Sequence, residues 1–503
     1  MLGLGLLLAR PTAAAAPPPP PEPGYREVGA SVTGASELRP LSSGAASLTF
    51  DSSDPGLATG FQWAKRQALA MAFDDDPVGP WYEAAEPGRE AFCMRDTAHQ
   101  AMGAHALGLA KHNLNMLRRF AENVSDARDW CSLWEIDRYN RPAPVDYRND
   151  AEFWYNLPAN FDILDAAYRM HLWTGELAYV QEPAFLNYYE RTVRDYVERW
   201  GLGPDQVMKR PRLLNVRGVP DPKKKFQVNR GIPGYDEQDH DYVLGIDVLA
   251  TQYAGYLAYA RLQEIRGREE PAREYIQKAL AVRALVNGAW WNEAGGHFYG
   301  RLDKDHTLTG KAGTGLLYRD VVDDGPKVEA ALREGRGSVE VQYRYGDPDA
   351  ATAQMLEIAH GGRSRREYPE VPYSWVGALV NGTMGVTLEA RSALESQTEG
   401  FWVAAVIRTL SGLGSKVAWA ELRGLPIRGG VVAVRHEGAR KTTFTNENGP
   451  AVLWRAAFRG THENLLVNGR PLKARAETDA SGSPLSTVRI TVGGGGTTTV
   501  QVP

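Results

Sequence analysis

Apolar residues recur at intervals of three and four from about residue 61 to residue 413, a spacing typical of α-helices. The segments come in pairs, in which a segment that is apolar on nearly all sides is followed by one with a polar face. Two such pairs are 158–173 with 185–200, and 241–267 with 269–291. Further helices are predicted at 61–73, 347–360 and 373–390. Short loops between the paired segments predict a toroid of helical hairpins, with buried inner helices and amphipathic outer ones.

The periodicity changes after about residue 414. From there to the C-terminus, short β-branched or alternating runs are separated by Gly, Asn or Pro, and Asn468-Gly469 is a tight-turn signal. This pattern predicts a small antiparallel β-sandwich at 414–503. Short β stretches within 25–60 either add to that domain or form a separate cap.

The first 24 residues are not expected to belong to the fold. A short apolar run and several alanines resemble a secretory signal without its basic start, and Pro17–Pro21 should form an extended tether. This favours export from a bacterial cell, to the periplasm or the medium. No later apolar run approaches the length of a membrane span.

Composition narrows the classes of function. A net charge of −4 over 503 residues gives no overall attraction to nucleic acid. The 13 tryptophans and 22 tyrosines are compatible with flat apolar surfaces on which sugar rings stack. Cys93 and Cys131 match no metal or redox motif, and either a disulfide or two buried thiols would fit.

Two phrases carry a resemblance to a known superfamily. HLWTGELAYV closes one hairpin, and YPEVPYSWVGALVNGTMGV leads into a late inner helix. With the paired helices, they resemble the six-hairpin glycosidases, the (α/α)6-barrel group that includes bacterial α-rhamnosidases. The resemblance implies a mainly α fold, an (α/α)6 toroid at 61–413 followed by the β domain. It also implies a glycoside hydrolase whose site lies where loops lead into the inner helices.

Glycoside hydrolysis needs one protonated carboxyl group and one ionised carboxylate. Acidic residues that lie beside aromatic residues just before inner helices are therefore the catalytic candidates. Glu237 is the predicted general acid, with Asp236 as its neighbour, and Glu370 is the predicted general base, with Glu367 as alternate. Glu135 is a further candidate acid. More than a hundred residues separate Glu237 from Glu370, which favours opposite sides of the barrel mouth and inverting geometry.

Other polar and aromatic residues of the same loops are predicted to bind the sugar. Arginine binds carboxylates in a bidentate manner, so the basic residues of these loops favour a uronic-acid-containing oligo- or polysaccharide. Besides the predicted substrate contacts, the basic set contains Lys223–Lys225, Arg363, Arg365 and Arg366. The predicted substrate contacts are Arg95, Asp96, His99, Gln100, Trp134, Trp154, Tyr155, Arg230, Tyr235, Tyr373 and Trp375.

Three other interpretations remain open. A polysaccharide lyase could use Tyr235 with His240, a carbohydrate-binding protein would need no acid pair, and a thiol hydrolase could use Cys93 with His99. No cofactor or metal is expected, because His99, His105 and His112 lack the spacing that lets one helix hold zinc. Asp239, His240 and Asp241 could hold a metal ion, but capping of the next helix explains part of this acidic cluster.

Overall fold

A computed structural model describes residues 47–211, 230–236, 242–323, 325–335, 337–361, 368–390, 405–479 and 481–503. Helices occupy most of the chain up to residue 383, and strands dominate from residue 386 onward. No helix in these ranges is both long and apolar enough to cross a membrane.

The described α-helices are α1 (Pro55–Ala70), α2 (Met94–Ala106), α3 (Ala110–Glu122), α4 (Ala159–Thr174), α5 (Ala178–Gln181), α6 (Pro183–Arg191), α7 (Val197–Arg199), α8 (Ile246–Ile265), α9 (Glu269–Asn287), α10 (Gly315–Tyr318), α11 (Pro326–Arg333), α12 (Val339–Tyr345), α13 (Pro348–His360) and α14 (Glu370–Ala378). Two π-helical turns, Thr192–Tyr196 and Leu379–Thr383, continue α6 and α14. Two 3-10 turns lie at Asp126–Arg128 and Val207–Lys209.

Short strands lie in the loops between the helices. They are β2 (Ala72–Phe73), β3 (Trp81–Tyr82), β4 (Ala91–Cys93), β5 (Glu135–Asp137), β6 (Tyr147–Asn149), β7 (Glu152–Phe153), β8 (Tyr155–Asn156), β9 (Arg230–Ile232), β10 (Tyr242–Gly245), β11 (Trp291–Asn292), β12 (His297–Phe298), β13 (Arg301–Asp303) and β14 (Leu308–Thr309). The first strand, β1 (Thr49–Ser52), belongs instead to a C-terminal sheet.

Four helices form a run of successive contacts. Helix α14 contacts α2, α2 contacts α4, and α4 contacts α8. On α2, every residue except His99 is buried, and α8 is apolar on nearly all sides. Helix α3 packs on α2 and α4, α9 on α8, and α1 on α13 and α14. We call α2, α4, α8 and α14 the inner helices, because each contacts the next, and α1, α3 and α9 pack against them.

Helices α2 and α14 touch backbone to backbone. A Cβ atom on Gly103 would lie 1.9 Å from the carbonyl oxygen of Tyr373, so only glycine allows this approach. The contact fixes the separation of the two helices, and both helices carry predicted site residues in their first turns.

The C-terminal strands are β15 (Val386–Ala390), β16 (Ala405–Leu410), β17 (Trp419–Ile427), β18 (Gly430–Glu437), β19 (Lys441–Asn448), β20 (Val452–Arg459), β21 (Asn464–Val467), β22 (Arg470–Lys473), β23 (Arg475–Thr478), β24 (Pro484–Val492) and β25 (Thr497–Gln501). They form a sheet of order β1-β17-β18-β19-β25-β21-β22 and a sheet of order β15-β16-β20-β24-β23. Phe444 of the first stacks on Trp454 of the second, with ring centroids 5.0 Å apart. The pairing is antiparallel except between β16 and β20.

Two boundaries differ from the predicted ones. Helix α1 begins at Pro55 rather than at residue 61, because the Asp54 carboxylate caps it by accepting from the backbone N–H groups of Gly56 and Leu57. The helix predicted at 373–390 was wrong over its last third. Gly385 has a φ of 52°, and the chain continues as β15. Glycine in the left-handed region ends helices readily, and the β-branched residues after it suit a strand.

Candidate active site

The first turns of the inner helices converge at one end of the helical part. Tyr235 links two of them, since its backbone N–H donates to Asp247 of α8 and its hydroxyl donates to Asp162 of α4. A contact between His99 and Glu370 links α2 with α14. Each of the four helices carries an acidic residue in its first turn, namely Asp96, Asp162, Asp247 and Glu370.

Asp162 and Asp247 are committed to structural partners. Arg319 forms an ion pair with Asp162, and Tyr235 donates to Asp162 at 2.6 and 2.8 Å. Asp247 accepts from the backbone N–H groups of Tyr235 and Val248. Structural hydrogen bonds and an ion pair thus explain the positions of Asp162 and Asp247, two of the four acidic residues.

Glu370 and Asp96 have a different environment. The Glu370 carboxylate lies 2.7 Å from Nδ1 of His99, and its charge acts on Asp96. Asp96 is only 3% exposed, and its carboxylate accepts from the Tyr368 hydroxyl at 2.6 Å. We call Asp96, His99, Tyr368 and Glu370 the Glu370 cluster. Burial and the nearby Glu370 charge raise the pKa of Asp96 to about 7, so this group exchanges a proton near neutral pH.

His99 of this cluster is neutral. Burial, together with the charges of Arg319 and Arg95, holds the pKa of the imidazole well below its ordinary value. A neutral imidazole has one N–H, and donation from Nδ1 to the Glu370 carboxylate leaves Nε2 as an acceptor. Nε2 is buried and has no hydrogen-bond partner within the described part of the chain. The contact with Nδ1 therefore orients the Glu370 carboxylate.

Arg95 lies between two aromatic rings beside the cluster. Its guanidinium carbon is 5.6 Å from the ring centroid of Trp134 and 5.6 Å from that of Tyr235. Trp134 in turn packs edge-on against Trp154, with ring centroids 4.4 Å apart. Both rings thus lie within cation–π distance of the guanidinium, and its Nε lies 4.0 Å from the Asp96 carboxylate.

Glu135 lies on β5, where it pairs with Cys93 of β4. Arg89 donates to its carboxylate at 2.8 Å, and the side chain is 1% exposed. Burial and the neighbouring Asp146 raise the pKa of Glu135 well above its ordinary value. Its polar contacts thus lie with Arg89 and Asp146, outside the Glu370 cluster.

Three predicted substrate contacts are core residues instead. Tyr155, Tyr373 and Trp375 have no exposed surface. The hydroxyl of Tyr373 donates to the Ala68 carbonyl at 2.7 Å, the Trp375 indole donates to the Met355 carbonyl at 3.0 Å, and Tyr155 donates to Asn160. A side chain without exposed surface and with its polar atom satisfied offers no face to a sugar in this structure, so the burial of these three residues does not support the predictions.

Two further predicted contacts have protein partners. Gln100 is buried and donates to the Glu83 carbonyl at 3.3 Å. Arg230 forms an ion pair with Asp129 at 3.1 Å and lies over the ring of Phe153. Both residues stabilise the loops around the site.

Several predicted residues lie outside the described residues. They are Glu237, Asp239, His240, Asp241, Glu367, Lys223–Lys225, Arg363, Arg365 and Arg366. Asp236 is described and exposed, directly after Tyr235. Tyr235, the residue before it, belongs to the site through its contacts with Asp162 and Asp247.

The alternative with a thiol finds little support. Cys93 and Cys131 are both buried free thiols, and burial raises the pKa of Cys93 well above its ordinary value. A protonated thiol is a poor nucleophile. Within the described ranges, no group of three or more His, Cys, Asp or Glu side chains is arranged to hold a metal ion.

Asp162, Arg319 and Tyr368 were missed from the sequence. Asp162 lies inside an otherwise apolar helix, and Arg319 is 157 residues away from it. The only indication in the sequence was that Asp162 is acidic at a position that the apolar pattern assigns to the core. This does not indicate which residue pairs with it.

No protein-family model matches the sequence, and no curated protein matches it at a significant level. Solved structures do match. An α-L-rhamnosidase from Dictyoglumus thermophilum superimposes with a TM-score of 0.56 at 12% identity, covering 90% of this chain and 50% of its own. A GH78 family rhamnosidase of Bacillus sp. GL1 gives a TM-score of 0.49 at 13% identity, covering 79% and 40%. This chain thus spans about half the length of the first rhamnosidase. The resemblance to the six-hairpin glycosidases is confirmed at the level of the fold.

Proposed function

We propose that the protein is a glycoside hydrolase built on an (α/α)6 toroid. The inner ring would be α2, α4, α8, α10, α12 and α14, because α8 also contacts α10, α10 contacts α12, and α12 contacts the π-helical end of α14. Helices α1, α3, α6, α9, α11 and α13 would form the outer ring. The rhamnosidase fold and the acidic first turns of the inner helices support this proposal.

The observation that carries the function is the 2.7 Å contact between Nδ1 of His99 and the Glu370 carboxylate, beside a buried Asp96. A general base must be ionised and held in place. Glu370 is therefore our general base, and His99 is its positioning residue.

The general acid is assigned to the segment that begins at Asp236. Tyr235 lies against Arg95, so the following residues start beside the Glu370 cluster. Glu237 is the favoured acid of this segment, with Asp236 as alternate. If its carboxyl lies about 6.5–9.5 Å from that of Glu370, a water fits between base and sugar and the anomeric configuration inverts. The buried Asp96, with a pKa of about 7, is the second candidate acid.

The proposed substrate is a glycan that contains uronic acid, which the exported protein would meet outside the cell. The Arg95 guanidinium, close to the rings of Trp134 and Tyr235, is the basic group of the site that suits the carboxylate of a sugar stacking on the tryptophan. The signal-like first residues support action outside the cell.

A polysaccharide lyase is less favoured. Its base would be the Tyr235 phenolate, but burial and the Asp162 carboxylate raise the pKa of Tyr235 well above its ordinary value. A purely carbohydrate-binding protein would need no proton-exchanging group such as Asp96.

The experiment is an assay of the purified protein on aryl α-L-rhamnosides, aryl glucuronides and aryl galacturonides, with proton NMR of the first product anomer. Hydrolysis with inversion supports the proposal. Release of an unsaturated uronate that absorbs in the ultraviolet would support the lyase, and saturable binding without turnover would support the binding protein.

A further inference from the structure

A cavity lies between the helices and the C-terminal sheets. No residue of the Glu370 cluster lines it, although Tyr318 of its lining meets the His99 ring edge-on, with ring centroids 6.2 Å apart. The cavity has a volume of about 690 Å³ and runs along the later turns of α4, from Asp165 to Trp173, down to Thr387 of β15 and Arg408 of β16. Sites for small molecules commonly enclose about 300–1,000 Å³. We call it the Arg408 cavity.

Arg408 makes no hydrogen bond or ion pair within the described part of the chain, and its Nε is buried without a partner. Its neighbour in the sheet shows the contrast. Arg455 lies directly opposite Arg408 on β20 and forms ion pairs with Glu389 and, at 3.2 Å, with Glu477. Burial lowers the pKa of Arg408, and the charges of Glu389 and Glu477 offset this effect only in part. A mostly buried guanidinium without an acceptor is a site for an anion.

The opposite wall offers groups that suit hydroxyls. Glu340 lines the cavity, and no hydrogen bond or ion pair of its carboxylate is found among the described residues. Tyr318 and Tyr253 line the same space, and Trp173 closes its end near the last turn of α4. A carboxylate that accepts from hydroxyls and rings that stack on apolar sugar faces are the usual elements of a sugar site.

We propose that the Arg408 cavity binds an anionic mono- or disaccharide, with the carboxylate or phosphate group on Arg408 and the hydroxyls toward Glu340. Arg408 lies on β16, and no residue of the Glu370 cluster lines the cavity. The inference therefore does not depend on hydrolase activity.

Isothermal titration of the full chain with glucuronate, glucose 6-phosphate and glucose tests this proposal. We expect saturable binding of one of the two anionic sugars and at least tenfold weaker binding of glucose. The two anionic arms distinguish a carboxylate ligand from a phosphate ligand. Arg408→Ala should weaken binding by about tenfold or more, because it removes a charge-assisted hydrogen bond. Arg423→Ala is the matched control, since Arg423 lies on β17 of the other sheet and outside the cavity.

Thr387→Trp provides a second variant. Thr387 lies opposite Arg408 in the register of β15 and β16, so a tryptophan there fills the space in front of the guanidinium. Binding should be lost while circular dichroism and the melting temperature stay near those of the wild type. The proposal is overturned if neither anionic sugar binds saturably, or if Arg408→Ala binds as tightly as Arg423→Ala.

Discussion

Nδ1 of His99 and Oε1 of Glu370 lie 2.7 Å apart, although 271 residues separate them in the chain. The side chains are 8% and 16% exposed, so the contact is largely shielded from water. It joins the first half of α2 to the first residue of α14. The neutral imidazole donates to the carboxylate, and Glu370 is thereby held at the mouth of the inner helices.

Glu370→Gln should abolish the proposed base while keeping the shape of the site. We expect turnover to fall by about 10²–10⁴ while sugar affinity stays within a few-fold, because proton transfer occurs only in the transition state. Steady-state kinetics and titration with a non-hydrolysed sugar measure the two effects. Glu190→Gln, on the exposed face of α6, is the control. Wild-type turnover in Glu370→Gln would exclude Glu370 as the base.

His99 should act by positioning Glu370. In His99→Asn the amide N–H₂ can replace Nδ1–H as donor, whereas His99→Ala leaves the carboxylate without it. We expect Asn to retain more turnover than Ala, and the acidic limb of the pH–rate profile to move to higher pH in Ala. The limb moves in that direction because loss of a donor raises the pKa of the carboxylate. Equal profiles for the two variants would indicate a packing role only.

Asp96 should make the protein less stable as the pH rises. Its pKa is raised from 3.8 to about 7, so between these values the folded state binds a proton that the unfolded state has lost. Stability from this group is complete below about pH 4 and is lost progressively up to about pH 7. The melting temperature of Asp96→Asn should therefore rise relative to that of the wild type, and this rise should be larger at pH 8 than at pH 4.

The control for this pH series is Asp305→Asn, because Asp305 is exposed in the turn between β13 and β14. The two variants should differ in the slope of melting temperature against pH. Parallel curves from pH 4 to pH 8 would contradict the raised pKa of Asp96.

Arg319 should be the most sensitive buried charge of the site. Its side chain is 2% exposed and pairs with Asp162, which is 0% exposed, and with Asp165 at 2.8 Å. Arg319→Met leaves a buried carboxylate without its partner, which costs about 3–5 kcal/mol of unfolding free energy. Urea denaturation measures this loss. Arg261→Met, which breaks the exposed pair with Glu264, should cost less than about 1 kcal/mol.

Gly103→Ala should separate α2 from α14. The added Cβ would lie 1.9 Å from the Tyr373 carbonyl oxygen, and backbone atoms yield only if a helix shifts. We expect a loss of about 1–3 kcal/mol from overpacking and a fall in turnover, because the same helices hold His99 and Glu370. Gly267→Ala is a poor control, since its φ is 70°. Ala359→Val on α13 tests overpacking away from the site.

The sequence predicted the fold better than the site. Apolar periodicity identifies α2, α4 and α8 because an inner helix is buried on all sides, and this leaves a continuous signal. Glu370 and His99 could be named as candidates because each stands near the start of an inner helix. Their contact could not be derived, since no local pattern relates positions 271 residues apart. Tyr373 and Trp375 were predicted as substrate contacts for a related reason. Aromatic residues beside an acid look the same in sequence whether they face a cleft or an outer helix.

The pairing of β1 with β17 has a consequence for biosynthesis. Thr49 lies opposite Arg423 and Ser52 opposite Ala420, so the first described strand belongs to a sheet whose other members are made last. The helical region is thus an insertion in the connectivity of the β domain. As the chain leaves the ribosome, β1 has no partner strand until β17 has been synthesised, while the helices between them can already assemble. We infer that a nascent chain released before β17 would hold its helices but expose the unpaired edge of β1 to other chains.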